Sequence, residues 1–314
     1  MMQIIEGTTE FQIEGRSAVA IGKFDGIHRG HIKLLEYILA KKALGLKAVV
    51  FTFDPPASVF FGRSGERELS PLSEKRKIFE KLGVDILVEF PLNADTAAIP
   101  AEEFVENILV FQMHSAYIAA GSDLSFGYKG IGNKDLLLQL SGKCGYQVEI
   151  IDKVMEGERE ISSTFVREEV EAGNMEMAAR LLGRSYSVTG IVENGKKLGR
   201  KLGMPTLNLY PPKDKLLPPN GVYFSRVLCE EGQYTGITNI GKKPTVNHTG
   251  AVSVETYLYD FEKDMYGREI VTELLHFKRP EYKFDGVEEL KQQMERDIAE
   301  GRLYHCHKLP TDTV

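Results

Sequence analysis

Residues 18–35 read AVAIGKFDGIHRGHIKLL, and this stretch decides how the first half of the chain folds. It begins with a short apolar run, Ala18–Ile21, that ends at Gly22 and leads into a polar turn. Beyond the turn, Ile32, Leu35 and the apolar residues that follow recur at helical spacing. The pattern therefore predicts a strand, a tight turn and an amphipathic helix.

Two histidines lie where this helix is predicted to begin. His28 and His31 are three residues apart, so one helical turn can bring both side chains to the same side. Gly30, between them, has no side chain and lets a phosphate group approach the backbone. The N-terminus of a helix binds anions, because its first N–H groups have no partners within the helix. These residues predict a phosphate site, although two histidines at a helix start can also be ordinary structural polar groups.

Length and composition limit the class of protein. With 314 residues, the chain is long enough for two domains with separate cores. A hydrophobic content of 42% and a charged content of 27% are typical of a soluble globular protein, and the net charge of −6 argues against general nucleic-acid binding. Cys144, Cys229 and Cys306 are widely spaced and form neither a disulfide framework nor a metal pair, which favours the cytoplasm. We expect no signal peptide and no membrane helix.

Short apolar runs alternate with helical patterns through the first half of the chain. This alternation predicts a Rossmann-like α/β domain, which is a parallel sheet with helices on both faces. Ligands bind beyond the carboxyl ends of the strands in such sheets, and His28 and His31 lie at such a position. Ser70 and Pro71 are expected to be the N-cap and the first residue of one helix. The predicted strands are 18–21, 48–53, 86–90, 116–120 and 148–151, and the predicted helices lie near 31–44, 71–82, 101–112 and 133–142.

Three polar loops follow predicted strands: TFDPPA at 52–57, GSDLSFG at 121–127 and ISSTFVR at 161–167. Each of them is also compatible with ordinary turn chemistry. In the third loop, Ser163 and Thr164 can cap a helix, and Arg167 then projects from its first turn. An arginine at a helix start opposes the helix dipole, so we expect a bound anion there. An ion pair with a neighbouring glutamate is the alternative.

The pattern changes after Gly183. Short alternating stretches are then separated by turn signals, which predicts a small antiparallel β-barrel with a closing helix. We therefore place one domain over residues 1–184 and a second over 185–314. The motif His305-Cys306-His307 is expected to lie in a terminal tail without a metal role. The predicted strands are 185–193, 205–209, 221–229, 234–240, 252–260 and 270–277, and the predicted helix is 286–300.

The second half contains one basic, glycine-rich stretch, GKKLGRKLGMPTLNL at residues 195–209. Three glycines with lysines and an arginine among them are typical of a phosphate-facing loop, although a solvated basic loop has the same composition. Thr206 and Asn208 alternate, so both point the same way on a strand. Their hydroxyl and amide oxygens are hard ligands that suit Mg²⁺.

Glu255 lies in the predicted strand 252–260, on the same side as Ser253 and Tyr257. A carboxylate that faces a binding site can act as a general base and accept a proton from a substrate. A surface ion pair is the alternative role for a glutamate on a strand.

These motifs resemble those of the bacterial bifunctional riboflavin kinase/FMN adenylyltransferases, over about residues 15–305. GKFDGIHRGH is similar to the HxGH signature of the nucleotidyltransferase module in that family, and ISSTFVR is similar to its ISSTxxR motif. The stretch 195–209 resembles the riboflavin kinase signature, whose PTxN element carries the magnesium and the ATP phosphates. Five positions differ from the family. Pro56 replaces a usual histidine, Ala57 a usual proline, Leu124 a usual aromatic residue, Ser125 a frequent arginine and Tyr257 a frequent histidine.

The resemblance implies a cytoplasmic enzyme that uses ATP and Mg²⁺ in two reactions. Its C-terminal domain would phosphorylate riboflavin to FMN, and its N-terminal domain would adenylylate FMN to FAD. We expect small-molecule partners only, no nucleic acid and no membrane, and a monomer or weak homo-oligomer. A riboflavin kinase with a weakened or lost adenylyltransferase and a flavin-binding regulator without turnover are the alternatives. Because Pro56 and Ser125 remove donors from the phosphate pocket, we expect FMN to accumulate before FAD.

The same resemblance implies roles for individual residues. Catalysis is expected from Glu255, His28 and His31. Binding of ATP and phosphate is expected from Gly22, Phe24, Asp25, Gly30, Ser163, Thr164, Arg167, Gly195, Gly199, Arg200, Gly203 and Pro205. Flavin binding is expected from Asp123, Phe126, Asn239 and Arg279. Metal binding is expected from Thr206 and Asn208.

Overall fold

The computed structural model describes residues 1–62, 67–195, 199, 203–242 and 252–308. The chain divides into two units, Met1–Phe165 and a second that begins at Val166. Each unit has its own sheet. The functional boundary expected between residues 184 and 185 lies farther along the chain than this division and stays a prediction.

The first unit is built on six strands: β1 Gln3–Glu6, β2 Ser17–Ile21, β3 Lys47–Asp54, β4 Ile86–Pro91, β5 Ser115–Gly121 and β6 Gln147–Ile151. They form one parallel sheet in the order β1-β4-β3-β2-β5-β6, which confirms the predicted parallel sheet. Strand β1 was not predicted, because it is short and largely exposed. The order reverses at β2, since β3 pairs with one edge of β2 and β5 with the other. The carboxyl ends of β2 and β5 therefore flank a switch point, where ligands bind in open α/β sheets.

Helices cover both faces of this sheet. Strand β2 is buried along its whole length, and its side chains alternate between the faces. The helices are α1 Arg29–Ala40, α2 Ala57–Phe60, α3 Leu72–Leu82, α4 Ala101–Glu103, which continues in wider π-helical turns over Phe104–Gln112, and α5 Lys134–Cys144. Ala18 and Ala20 pack with α1 on one face, whereas Val19 and Ile21 pack with the π-helical turns on the other.

Smaller elements complete the first unit. They are 3₁₀ turns at Lys41–Leu44, Thr96–Ala98 and Tyr128–Gly130 and a hairpin of β7 Met155–Glu156 and β8 Arg159–Glu160. Helix α6, Ser163–Glu171, spans the division between the two units. The start of α3 differs from the prediction, because Pro71 is its N-cap and no side chain caps it. Ser70 instead donates its N–H to the carboxylate of Asp25 at 3.3 Å.

The second unit contains helix α7, Met175–Leu182, and six strands: β9 Tyr186–Ile191, β10 Thr206–Leu209, β11 Gly221–Cys229, β12 Gly232–Lys242, β13 Val252–Leu258 and β14 Glu269–Pro280. All neighbouring strands are antiparallel, in the order β10-β13-β12-β11-β14-β9. The N–H of Glu193 donates to the carbonyl of Asn208 at 2.9 Å and joins the two ends of the sheet. The predicted small antiparallel barrel is confirmed.

The two faces of the barrel sheet differ in character. On one face, Ser225, Thr238 and Thr256 are fully buried, and their hydroxyls are linked by hydrogen bonds of 2.7 and 2.8 Å. On the opposite face, Phe224 and Ile237 pack against the closing helix α8, Val287–Lys308. The helix therefore covers part of the face that does not carry the buried hydroxyls.

Helix α8 is longer than the sequence predicts. Gly301 was expected to lie beyond its end, but the helix continues through Gly301 to Lys308. A methyl group at Gly301 would overlap the hydroxyl of Tyr259, so the glycine allows the helix to approach the sheet. His305 is only 5% exposed, and its Nε2 lies 3.3 Å from the carbonyl oxygen of Gly236. The prediction of a terminal tail at His305 is therefore wrong.

Among the described residues, no helix combines the length and the apolar character that crossing a membrane requires.

Two helical glycines should respond oppositely to alanine. Gly301→Ala places a methyl group against Tyr259, so we expect a loss of about 1–3 kcal/mol in unfolding free energy. Gly142→Ala in α5 adds a methyl group in open space and should leave stability unchanged or raise it by about 0.5–1 kcal/mol. Thermal unfolding of both variants measures the difference. A Gly301→Ala protein as stable as the wild type would contradict the close packing of α8.

The stability of the second unit should depend on pH through His305. Burial lowers the pKa of His305 below its ordinary value of 6.5. The folded state therefore favours the neutral ring, and the stability that this group contributes is present above pH 6.5 and is lost as the pH falls. We expect the unfolding midpoint to fall more between about pH 7.5 and about pH 5.5 in the wild type than in His305→Gln. Equal falls in the two proteins would exclude His305 as the cause.

Two candidate active sites

The first candidate site lies at the carboxyl end of β2. The ladder with β3 extends to Gly22, whose N–H donates to the carbonyl of Phe51 at 3.2 Å. The chain then turns through Phe24 and Ile27, which have positive φ angles of 51° and 43° and fully buried side chains. Left-handed backbone is rare for large residues and persists where the surroundings enforce it, often at functional sites. The core contacts of these two side chains hold the turn in shape.

The two histidines meet at the start of α1, as their spacing predicts. His28 is the N-cap of α1, and the rings of His28 and His31 stack with centroids 3.8 Å apart. A Cβ on Gly30 would lie 3.1 Å from the His28 ring, so the absent side chain lets this ring lie over the first turn. The arrangement places two imidazoles beside the N–H groups that begin the helix. It can bind and neutralise a phosphate group.

Two residues expected to bind phosphate make contacts within the protein. The Asp25 carboxylate accepts the backbone N–H groups of Leu69 at 2.9 Å and Ser70 at 3.3 Å through one oxygen. The ring of Phe24 is fully buried, with its centroid 5.1 Å from that of His31. These side chains shape the turn and support the histidine. Their expected role in phosphate binding stays a prediction.

The start of α6 also differs from the prediction. Ser162 caps the helix, since its hydroxyl accepts the N–H of the third helical residue at 3.2 Å. The Ser163 hydroxyl instead donates to the backbone carbonyl of Asp25 at 2.9 Å and ties this helix start to the histidine turn. Thr164 is exposed on the first turn, and Arg167 belongs to the second unit.

The loop after β5 brings one expected flavin residue to the surface and buries the other. Asp123 is exposed at the carboxyl end of the strand, with the Lys153 ammonium 3.8 Å from its carboxylate. Phe126 is 3% exposed, packs on Phe104 and pairs through its backbone with Gly132. The Phe126 ring therefore contributes to the core, and the flavin contact expected of it stays a prediction.

Two cations near this site were missed by the sequence analysis. Arg29, between the two histidines, forms an ion pair of 2.7 Å with Glu156 of β7. Lys153 forms one of 2.5 Å with Glu160 of β8, and this hydrogen bond raises the pKa of Lys153. Both pairs connect the small hairpin to the site. The hairpin strands are only two residues long, so no periodic pattern marks them in the sequence.

The second candidate site is a line of residues across the barrel sheet. Asn208 on β10 is paired with Glu255 on β13, and Glu255 is paired with Asn239 on β12. The same line continues through Val222 on β11 to Arg279 on β14. Paired residues point to the same face of a sheet, so these side chains share the face that α8 partly covers. The sequence predicted the alternation along each strand but not this register.

A glycine leaves room beside the Asn208 amide. Asn208 donates through its Nδ2 to the carbonyl of Thr206 at 3.1 Å. A Cβ on Gly195 would lie 2.5 Å from Asn208 Oδ1, so a side chain at Gly195 would displace the amide. The carbonyl oxygen of Gly199 accepts the N–H of Met204 at 2.8 Å, and this hydrogen bond restrains the backbone that leads into β10. Arg200, expected to bind phosphate, lies outside the described residues, and Gly203 has a left-handed φ of 77°.

A cavity of about 340 Å³ opens beside this amide. Gly195, Pro205, Thr206 and Asn208 line one side of it, and the loop 261–266 lines the other. The size is within the usual range of small-molecule sites. The loop 261–266 is missing from the expected site residues, since nothing in its composition marks it as a binding loop. Among the described residues, no group of three or more His, Cys, Asp or Glu side chains could hold a metal ion.

Arg279 lies at the far end of the line and contacts the closing helix. Its guanidinium forms an ion pair with Asp297 of α8 at 2.6 Å, and their side chains are 11% and 1% exposed. The same guanidinium also donates to the carbonyl of Pro280 at 3.0 Å. Arg279 therefore anchors α8 to one end of the line, and its expected role in flavin binding stays a prediction. Asn239 donates to Glu281 Oε1 at 3.3 Å and lies on the open part of the line.

Comparisons with known proteins match the two parts of the chain to two different family models. The family model described as FAD synthetase matches residues 10–165, and the one described as riboflavin kinase matches residues 182–305. The bifunctional riboflavin kinase/FMN adenylyltransferase of Listeria monocytogenes is 36% identical over 95% of each chain. The protein of that name from Bacillus subtilis is 34% identical over 93% of each chain.

A solved structure from Streptococcus pneumoniae, titled as a macrolide-efflux protein, has the same overall fold. It is 26% identical to this chain, with a TM-score of 0.83, and the match covers 98% of this chain and 99% of that one.

Alanine substitutions at two glycines, Gly195 and Gly190, should distinguish a specific effect on Asn208 from a general effect on packing. Gly195→Ala displaces the Asn208 amide, so we expect about tenfold weaker binding of Mg–ATP to the second unit. In the matched control Gly190→Ala, the new methyl group lies 3.6 Å from Leu209, an ordinary contact, and affinity should not change. Isothermal titration calorimetry measures both variants. Equal affinities in the two would exclude the amide from the nucleotide site.

Proposed function

Because the chain belongs to the family of bifunctional riboflavin kinase/FMN adenylyltransferases, we propose that its two candidate sites catalyse the two successive reactions of that family. The second unit phosphorylates riboflavin with ATP to give FMN, and the first adenylylates FMN with a second ATP to give FAD and pyrophosphate. The observation that carries the assignment is the line Asn208–Glu255–Asn239 beside the cavity of the barrel.

Glu255 is the general base of the kinase reaction. Its carboxylate accepts the proton of the terminal ribityl hydroxyl as the oxygen of that hydroxyl bonds to the γ-phosphorus of ATP. The bond from the γ-phosphorus to the bridging oxygen breaks, and ADP leaves with that electron pair. Asn239, the neighbour of Glu255 in the line, contacts the flavin. The cavity lined by Gly195, Pro205 and Thr206 holds the nucleotide.

The residues at the head of β10 fit a magnesium ion. Asn208 uses its amide nitrogen on the carbonyl of Thr206, and its Oδ1 faces the space that the missing side chain of Gly195 leaves. An amide oxygen and a hydroxyl oxygen are the neutral, hard ligands that Mg²⁺ accepts alongside phosphate oxygens. Asn208 and Thr206 would hold the ion. When bound, magnesium neutralises charge on the ATP phosphates.

The first site transfers an adenylyl group without a covalent enzyme intermediate. A phosphate oxygen of FMN bonds to the α-phosphorus of ATP, and pyrophosphate leaves with the electron pair of the broken bond. His28 and His31, with the N–H groups that begin α1, hold the phosphates in line and offset the charge that develops. Gly22 and Gly30 let the phosphates approach the backbone, and Asp123 at the switch point contacts FMN.

The cellular location and the oligomeric state of the enzyme can be inferred from the two proposed reactions. We infer that the enzyme works in the cytoplasm, because both reactions consume ATP. We also infer that the enzyme is a monomer or weak homo-oligomer. No nucleic acid takes part, since the residues assigned above recognise small molecules and the net charge is −6.

Substitutions at the two sites should separate the two activities. His31→Ala should lower the rate of FAD formation from FMN about 10²-fold or more, since it removes a group that stabilises charge in the transition state. It should leave riboflavin phosphorylation unchanged. Glu255→Gln should have the reverse effect, because the amide cannot accept a proton. Chromatographic separation of FMN and FAD over time measures both rates.

The two variants are controls for each other in this experiment. Loss of both activities in a folded single variant would contradict the two-site assignment. The wild-type time course also tests whether FMN accumulates before FAD, as the replacement of a usual histidine by Pro56 predicts.

A further inference from the structure

Ser253 lies beside the general base but has no role in the mechanism above. It is on β13, two residues before Glu255, so both side chains point to the same face of the sheet. The residue is only 1% exposed. Its hydroxyl lies 3.2 Å from Glu255 Oε1 and 3.3 Å from the backbone carbonyl of Gly241. A buried hydroxyl is therefore within hydrogen-bond distance of the carboxylate that accepts the substrate proton.

A general base has to be oriented as well as present. A glutamate has three rotatable side-chain bonds, so its carboxylate samples many positions unless a partner restrains it. Ser253 can restrain it, because β13 pairs with β12 and β10 and the serine itself is opposite Gly241 in that register. Its hydroxyl is therefore attached to a backbone that pairs with β12 at this position and with both neighbouring strands from Val254 onward. A hydrogen bond to a charged carboxylate is also stronger than one between neutral groups.

We propose that Ser253 is a positioning residue for the kinase reaction, holding Oε1 of Glu255 so that the carboxylate meets the ribityl hydroxyl. The proposal rests on the role proposed above for Glu255 as the base. The second acceptor, the carbonyl of Gly241, supports it further. When Glu255 takes up the substrate proton and loses its charge, the serine hydroxyl still has an acceptor within reach. The buried O–H group can thus remain hydrogen-bonded before and after proton transfer.

Steady-state kinetics of FMN formation test this with a matched control. Ser253→Ala should lower kcat about 10- to 100-fold, while the KM values for riboflavin and Mg–ATP stay within about twofold, because the buried hydroxyl orients the base and does not bind substrate. Ser253→Thr retains the hydroxyl and should restore most of kcat. The control Ser225→Ala removes an equally buried hydroxyl on the opposite face of the same barrel and should leave kcat unchanged. FAD formation from FMN should not change in any of them.

Three results would overturn the proposal. An unchanged kcat in Ser253→Ala would show that the base needs no such partner. A raised KM with an unchanged kcat would place the hydroxyl in substrate binding. An equal loss of kcat in Ser225→Ala would show a general loosening of the barrel.

The Glu255→Gln variant distinguishes this proposal from the proposed function. If Glu255→Gln retains full kcat, the assignment of the base is wrong, and the positioning role fails with it. If Glu255→Gln loses activity and Ser253→Ala does not, only the positioning role fails. If both roles are correct, adding Ser253→Ala to Glu255→Gln should lower kcat no further, because the two residues act as one unit.

Discussion

Strand β13 is hydrogen-bonded on both sides, to β10 and to β12, and this pairing builds the kinase site. Its register sets Glu255 between Asn208 and Asn239 on one face of the sheet. A shift of one residue would turn the glutamate to the opposite face, where Ser225 of β11 and Thr238 of β12 have their buried hydroxyls. The apolar side chains of the barrel resist such a shift, since they would have to exchange faces as well. The apolar packing that folds the barrel therefore also positions Asn208, Glu255 and Asn239.

The adenylyltransferase site is built on a different principle. The groups that we propose to bind phosphate come from one short segment, the turn after β2 and the first residues of α1. Distant parts of the first unit hold that segment in shape. The carboxylate of Asp25 reaches the backbone of Leu69, and the hydroxyl of Ser163 reaches the backbone of Asp25. The local motif supplies the ligands, and long-range hydrogen bonds supply their rigidity. The kinase site, by contrast, exists only when separate strands have paired.

This difference explains what could be predicted from sequence. The histidine turn and most strands of the two large sheets were predictable from the sequence, because apolar periodicity and turn residues act locally. The sides on which Asn208 and Glu255 lie followed from alternation, but their pairing did not, because register depends on residues far apart in the chain. The contacts that Asp25 and Arg279 make within the protein could not be predicted for the same reason. Asp25 and Arg279 have charged side chains typical of binding sites, and their backbone and ion-pair partners become visible only after folding. His305 was placed in a tail, because the glycine before it normally ends a helix.

The ion pair between Arg279 and Asp297 has a consequence for biosynthesis. The ribosome makes β14 before α8, so the arginine leaves the exit tunnel before the carboxylate that neutralises it. Domains generally fold as units during synthesis. Until α8 docks, Arg279 of the nascent barrel lacks the carboxylate of Asp297, and the apolar face around Phe224 and Ile237 is uncovered. During this interval the chain exposes surface that other nascent chains can bind, and docking of the last helix removes it.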